Sequence, residues 1–348
     1  MTGTAFVLGA SGQIGRRAVH ALASDGWEVV AASRGGGSDA GWPPGVRTLR
    51  VDRADTAALA GALGDGVDVL LDCVAYDAGH ARQLLSLADR IGSAVVVSSA
   101  AVYRDAEGRS FDTQEEPDGA PRFPVPLPET WATVDPGPAT YGTRKVELEQ
   151  TLLAAADRLP CTLLRAGAIH GPHSPLPREL YFVKRALDGR TVRVLPYGGR
   201  SRFHPVHVSN IAELVRLAAR RPGARALNAG DPAVPTAAEI GDAIDAVLGR
   251  TSGTVLVDGP PPAPTVGAHP WALPYPMVLD MAAAESELGY RAVTTYEDSL
   301  PETVAWLARG LAEGKDWKEE FPRVAQMSAA ADDWFDYAAE DAWLDTRG

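Results

Sequence analysis

Tyr141-Gly142-Thr143-Arg144-Lys145 sets a tyrosine and a lysine four residues apart. On a helix this spacing puts both side chains on one face. A free phenol titrates at about 10, too high for efficient proton transfer at neutral pH. A nearby ammonium favours the phenolate and lowers that value. The pair therefore reads as a general acid/base, with the lysine also suited to hold a ribose. No other tyrosine in the chain has a lysine four residues on, and there are only four lysines against 29 arginines. A lysine in so arginine-biased a sequence points to a need for a compact ammonium. The plain alternative is an exposed helix lysine.

A second hydroxyl source is Val95-Val96-Val97-Ser98-Ser99, an apolar run that ends in serines. In an open parallel sheet, ligands bind beyond the carboxyl ends of the strands. There Ser99 can hydrogen-bond a carbonyl or alcohol oxygen, or merely satisfy turn backbone.

The segment Gly9-Ala10-Ser11-Gly12-Gln13-Ile14-Gly15 follows the short apolar run Ala5–Leu8 and opens a helical pattern. Its first glycine permits a tight turn. The middle one lets backbone approach a pyrophosphate, and the third allows close helix–strand packing. The helix start then offers N–H groups to phosphate. This context predicts a dinucleotide site, with Ser11, Gln13 and Ile14 lining it between the glycines.

The next strand ends Ala32-Ser33-Arg34-Gly35, with no acid to bind ribose hydroxyls. Ser33 and Arg34 therefore suit a 2′-phosphate, and NADP is expected, with NAD as the alternative. Arg34 as a solvated loop residue is the plain reading. Asp52 has two readings, acceptor for an adenine amino group or cap for a helix starting near Asp55. Ala75, after the run Val69–Cys73, is a further cofactor-lining candidate.

These residues need a scaffold. Apolar runs at Ala5–Leu8, Val29–Ala32, Val46–Val51, Val69–Cys73, Ala94–Val97 and Cys161–Leu164 alternate with helical patterns at Ile14–Ala23, His80–Ile91 and Ala139–Ala156. Continuous apolar strands with intervening helices predict an α/β, doubly wound parallel sheet of Rossmann type, with a smaller C-terminal substrate-binding region. The expected division is 1–165 for the dinucleotide domain with its catalytic helix, and 166–314 for a mixed substrate region with some return to the sheet. An acidic aromatic tail, 315–348, completes it. Asp105–Pro138 lacks periodicity and reads as a long loop over the site. Pro260–Pro264 reads as a stiff connector, and Glu297–Leu311 as a helix.

The order GASGQIG, VVVSSAAVY, YGTRK, LLRAGAIHGP and FHPVHVSNIAELV resembles the extended short-chain dehydrogenase/reductase family, the NAD(P)-dependent epimerase/dehydratase group. The resemblance covers roughly residues 4–312. It implies that Ser99, Tyr141 and Lys145 form a catalytic trio and that Gly9, Gly12 and Gly15 bind the dinucleotide. Tyr103, His170 and Arg202 are candidates for substrate contact, His170 from its Pro-rich turn on the expected substrate side, where the plain reading is a loop histidine. The family often dimerises through helices that here are His80–Ile91 and Ala139–Ala156, so a homodimer is permitted.

Departures narrow the activity. Ala100-Ala101 stands where sugar-nucleotide dehydratases carry an acidic pair. Ala166-Gly167 follows Arg165 where epimerases carry an asparagine, and Arg104 replaces a glycine. The diphosphate-binding arginine before His-Val is displaced, leaving Arg200 and Arg202 as rough candidates.

A net charge of −12 in 348 residues argues against nucleic acid and anionic membrane as partners. No stretch approaches a membrane span, and no basic-then-apolar leader opens the chain. Cys73 and Cys161 read as small buried hydrophobes, so the expected compartment is the cytoplasm. His170 and His173 lack further ligands for a metal. The tail's aromatics are expected to dock and its acids to stay wet.

The leading expectation is an NADP(H)-dependent oxidoreductase acting on a carbonyl or alcohol of a polar, sugar-like metabolite. The alternatives are a sugar epimerase using bound cofactor and a non-catalytic cofactor-sensing or RNA-binding relative.

Overall fold

A computed structural model describes residues 3–312 and 315–347. The chain divides into two compact units. Unit 1 comprises 1–167, 206–231 and 279–294, and unit 2 comprises 168–205, 232–278 and 295–348.

Unit 1 is built on β1 (Thr4–Leu8), α1 (Gln13–Ser24), β2 (Glu28–Ser33), β3 (Arg47–Arg50), α2 (Thr56–Leu63), β4 (Val67–Asp72), α3 (Ala78–Ser86), β5 (Ile91–Ser99), α4 (Tyr141–Leu153), β6 (Cys161–Ala166), α5 (Val208–Arg220) and β7 (Arg225–Ala229). The seven strands run β7-β6-β5-β4-β1-β2-β3, and every adjacent pair is parallel. This is the expected doubly wound sheet. Its order reverses between β1 and β4, where such sheets bind ligands. Strand interiors are buried on both faces: Phe6, Leu70, Val96 and Leu163 are at 0% exposure. Continuous β-branched and aliphatic runs have no wet face to turn outward.

The helix expected over His80–Ile91 is α3, Ala78–Ser86, followed by a short 3₁₀ turn at Ala88–Arg90. Ile91 instead pairs with Val67 and begins β5. Leu84, Leu87 and Ile91 are spaced for one helix face, so periodicity alone could not see the break. The Asp105–Pro138 segment holds one 3₁₀ turn, Phe111–Thr113. Asp105 organises part of it, accepting from Arg109 and Arg122 backbone N–H and pairing with the Arg109 side chain at 2.7 Å.

Unit 2 packs the helices Leu180–Leu187, Ala237–Val247, Tyr296–Gly310 and Pro322–Ala330 around Tyr181, Ile240, Trp271, Leu300, Phe321 and Trp334. The tail's aromatics therefore join a core, as expected. Its acids do not all stay wet. Glu340, in the helix Tyr337–Asp345, is 1% exposed and pairs with Arg185 at 2.6 Å and Arg190 at 2.9 Å. A buried carboxylate is tolerable only with such partners. Among the described residues, no helix is long and apolar enough to cross a membrane.

Candidate active site

The glycine loop joins β1 to α1. Gly9 has φ +83°, a left-handed conformation that glycine adopts without strain, and its N–H donates to Ala32 O at 3.0 Å. A Cβ at Gly15 would lie 2.2 Å from Gly9 O and 2.7 Å from Ala10 Cα, so the loop and the first helical turn touch backbone to backbone. Gly12 caps α1 with no side-chain hydrogen bond, and α1 thus starts without a capping acceptor of its own. This cradle fits a dinucleotide pyrophosphate.

Farther along the same edge, Ser33 ends β2. It is buried, and its Oγ accepts from Gly36 N at 3.1 Å. Arg34 follows it, exposed. Among the described residues no carboxylate pairs with it. Asp52 is exposed, with its Oδ1 accepting from Ala54 N at 3.0 Å, while Asp55 caps α2 through Ala58 N.

Beyond the carboxyl end of β5 stand Ser99 and the start of α4. Thr140 and Thr143 form a capping box that fixes where α4 begins. The Thr140 hydroxyl also donates to Asp112, 28 residues earlier. Gly142 lets α4 press on the Ser99–Ala101 turn, since a Cβ there would lie 2.7 Å from Ala101 O. Ser99 and Tyr141 are consequently brought together, within hydrogen-bonding reach of each other's hydroxyls.

Tyr141 is 41% exposed as a residue, yet desolvation of the phenol raises its pKa above the usual value. The Ser99 hydrogen bond pulls down and the Tyr76 hydroxyl pushes up. The lowering expected from Lys145 does not appear, because burial outweighs it and the ammonium is engaged elsewhere. Lys145 is 4% exposed. Its Nζ donates to Ala75 O at 2.6 Å and Val97 O at 2.9 Å and lies 5.8 Å from the Tyr141 ring centroid. Burial lowers the Lys145 pKa to about 8, against the opposing pull of Asp72. Ala75 thus contributes its carbonyl to the site.

Tyr76 is a member that sequence reasoning missed. Its ring centroid lies 5.6 Å from that of Tyr141, and the Arg144 guanidinium lies 5.7 Å from the Tyr76 ring centroid. No spacing rule links positions 65 residues apart.

Beneath the trio lies a buried polar network. Ser98 donates to Glu149 at 2.5 Å, and Arg165 grips Glu149 at 2.7 and 3.1 Å. Arg165 also donates to the Tyr103 hydroxyl at 3.2 Å, which donates to Asn228 at 2.7 Å. Tyr103 is therefore engaged differently from the substrate contact expected of it. It is at 0% exposure, and burial pushes its pKa up to about 12. His170 and Arg202 belong to unit 2. His170 is buried with its ring 4.8 Å from that of Tyr296, and Arg202 donates to Val234 O.

A model of the NAD dependent epimerase/dehydratase family matches residues 5–230. The chain is 31% identical over 238 residues to 2'-dehydrokanamycin reductase of Streptomyces kanamyceticus. That match spans 62% of this chain and 62% of the relative's length. Among solved structures, UDP-galactose 4-epimerase has a TM-score of 0.64 at 20% identity, over 89% of this chain and 100% of that one. MoeE5 in complex with UDP-glucose and NAD has a TM-score of 0.64 at 21% identity, over 89% and 100%. At such identities the structures speak for the fold. The chain belongs to the NAD dependent epimerase/dehydratase family.

Proposed function

We propose that this chain is an NADP(H)-dependent oxidoreductase. In this reading it reduces a carbonyl, or oxidises an alcohol, of a polar, sugar-like metabolite, with Tyr141 as general acid/base. The observation that carries it is the placement of Ser99 at the end of β5 and Tyr141 at the start of α4, beyond the sheet's carboxyl edge, with Lys145 anchored one helical turn on.

The glycine loop with Ser11, Gln13 and Ile14 holds the pyrophosphate. Arg34 with Ser33 takes the 2′-phosphate, and Asp52 serves the adenine. Lys145 holds the nicotinamide ribose. The bound nicotinamide supplies the hydride. Tyr141 Oη gives its proton to the carbonyl oxygen as that oxygen becomes an alcohol, while Ser99 Oγ donates a hydrogen bond to the same oxygen. The tyrosinate is then reprotonated from solvent, and alcohol oxidation runs the same steps in reverse. The substrate's polar groups are assigned to unit 2, with His170 and Arg202 as candidates. The relative named for reducing 2'-dehydrokanamycin supports a keto-sugar as substrate. The free cysteines Cys73 and Cys161 fit a reducing, cytoplasmic compartment. The reading includes a homodimer through α3 and α4, which carry the half-buried Leu85 and Leu153.

The test is NADPH consumption against a panel of keto-sugars. One NADPH oxidised per carbonyl reduced is expected. Arg34→Ala should weaken NADPH roughly tenfold, the worth of a charge-assisted hydrogen bond, and leave NADH unchanged. Conversion of a sugar with no net NADPH oxidised would replace this reading by epimerisation.

A further inference from the structure

Apart from Arg178, the buried and half-buried arginines of unit 2 are matched to acceptors. Arg185 and Arg190 bond Glu340, Arg193 bonds Asp245 at 3.2 Å, and Arg202 and Arg250 bond backbone carbonyls. Arg178 is different. Among the described residues its guanidinium forms no hydrogen bond and no ion pair, although the residue is partly buried. Its guanidinium lies 5.0 Å from the Phe203 ring centroid, and Phe203 in turn packs edge-on against the buried Trp271 at 6.4 Å. Burial pushes the Arg178 pKa down, against the pull of Glu179.

The turn that presents Arg178 is fixed, with Leu180 N bonded to Pro177 O and Tyr181 N to Arg178 O. Its neighbour Glu179 is no substitute partner. Glu179 is 1% exposed, accepts from the Tyr296 hydroxyl at 3.2 Å, and makes no ion pair with Arg178. Its Oε2 is buried without a partner. The half-buried guanidinium keeps its N–H donors without a protein acceptor and open to water on its free side. A fork of donors held against an aromatic face and left without a protein partner is arranged to take an external acceptor.

We propose that Arg178 is a ligand-binding residue of unit 2 that grips an oxyanion, a carboxylate or a phosphate, with the Phe203 ring backing its guanidinium plane. The planar fork matches both anions bidentately, and an aromatic face holds it in one orientation. The inference goes beyond the oxidoreductase reading, because binding needs no turnover.

The test uses the full chain, with NADP⁺ present so that phosphate at the glycine loop does not register. Binding of inorganic phosphate and, separately, of acetate is followed by calorimetry at constant ionic strength. Wild type should bind at least one of them, and Arg178→Met should weaken that binding roughly tenfold or more. Arg178→Lys, which keeps charge but not the fork, should fall between. A phosphate response alone identifies a phosphorylated ligand, and an acetate response alone a carboxylate. Because an unmatched cation is removed, Arg178→Met should melt no lower than wild type. Binding of neither anion, equal binding in Arg178→Met, or a lower melting temperature in that variant overturns the proposal.

Discussion

Among the described residues two arginine–glutamate pairs have both side chains under a tenth exposed, one in each unit. Arg165–Glu149 joins β6 to the helix that carries Tyr141 and Lys145, 16 residues apart. Arg185–Glu340 joins the helix Leu180–Leu187 to the last helix, 155 residues apart. Both have side chains under a tenth exposed and closest contacts of 2.7 and 2.6 Å. They differ in what else they touch. Glu149 also receives Ser98, the neighbour of Ser99, and Arg165 reaches Tyr103. Glu340 touches two arginines of one short segment, Arg185 and Arg190. The first pair braces a strand and a helix that meet at the proposed chemistry. The second fastens a terminal helix. Equal burial therefore does not imply equal functional weight.

The largest expected effect sets the scale for the first region. Tyr141→Phe removes one hydroxyl and should lower turnover by the ~10²–10⁴ typical of general acid/base catalysis. NADPH affinity and melting temperature should stay near wild type, measured by titration and by calorimetry. Near-normal turnover with a true substrate would remove Tyr141 from the mechanism and leave the fold untouched.

The next effect separates the two pairs directly. Glu149→Gln leaves Arg165 charged and buried, which costs about 3–5 kcal/mol when one partner of such a pair is lost. Turnover should fall as well, because the one amide oxygen of the glutamine cannot accept from Ser98 and from both arms of Arg165 as the carboxylate does. Glu340→Gln should cost less, about 1.5–3 kcal/mol, since a terminal helix can open locally and Asp341 still holds Arg190. Its turnover should be unchanged per folded molecule. Denaturant melts and kinetics on both variants check this. Equal turnover in the two would erase the distinction.

The same contrast governs what was readable in the sequence. The first region was legible where chemistry dictates local spacing: glycines at 9, 12 and 15, serine at a strand end, and tyrosine and lysine four apart. Residues brought together over long separations were not. Tyr76 beside Tyr141, Asp112 under Thr140, and Tyr103 bound to Asn228 follow from tertiary packing that leaves no periodic trace. The tail shows the extreme case. Its aromatics signal burial by type alone, but nothing near Glu340 announces a partner at Arg185. An acid in a charged, exposed-looking segment reads as wet until the facing cation is known.

The smallest expected effect is a pH dependence, and it runs in opposite directions for stability and activity. Lys145 is held at about 8 against an ordinary 10.5. Below about pH 8 the folded chain carries a buried ammonium. Between about 8 and 10.5 the unfolded chain binds a proton that the folded chain has released, so this residue's contribution to stability rises with pH. Activity should fall over the same window, because the neutral amine is a weaker donor to a ribose hydroxyl than the ammonium. The alkaline limb of kcat/KM, which reports the free enzyme, should therefore sit near 8. In kcat the limb should move to higher pH, since ligands that favour the ammonium raise its pKa. Asp72 and Glu149 support the charge from nearby and Arg53 opposes it, so Asp72→Asn should shift the kcat/KM limb to lower pH. Lys145→Met should flatten the limb altogether in whatever residual activity it keeps. A limb that persists unchanged in Lys145→Met would assign the titration to another group.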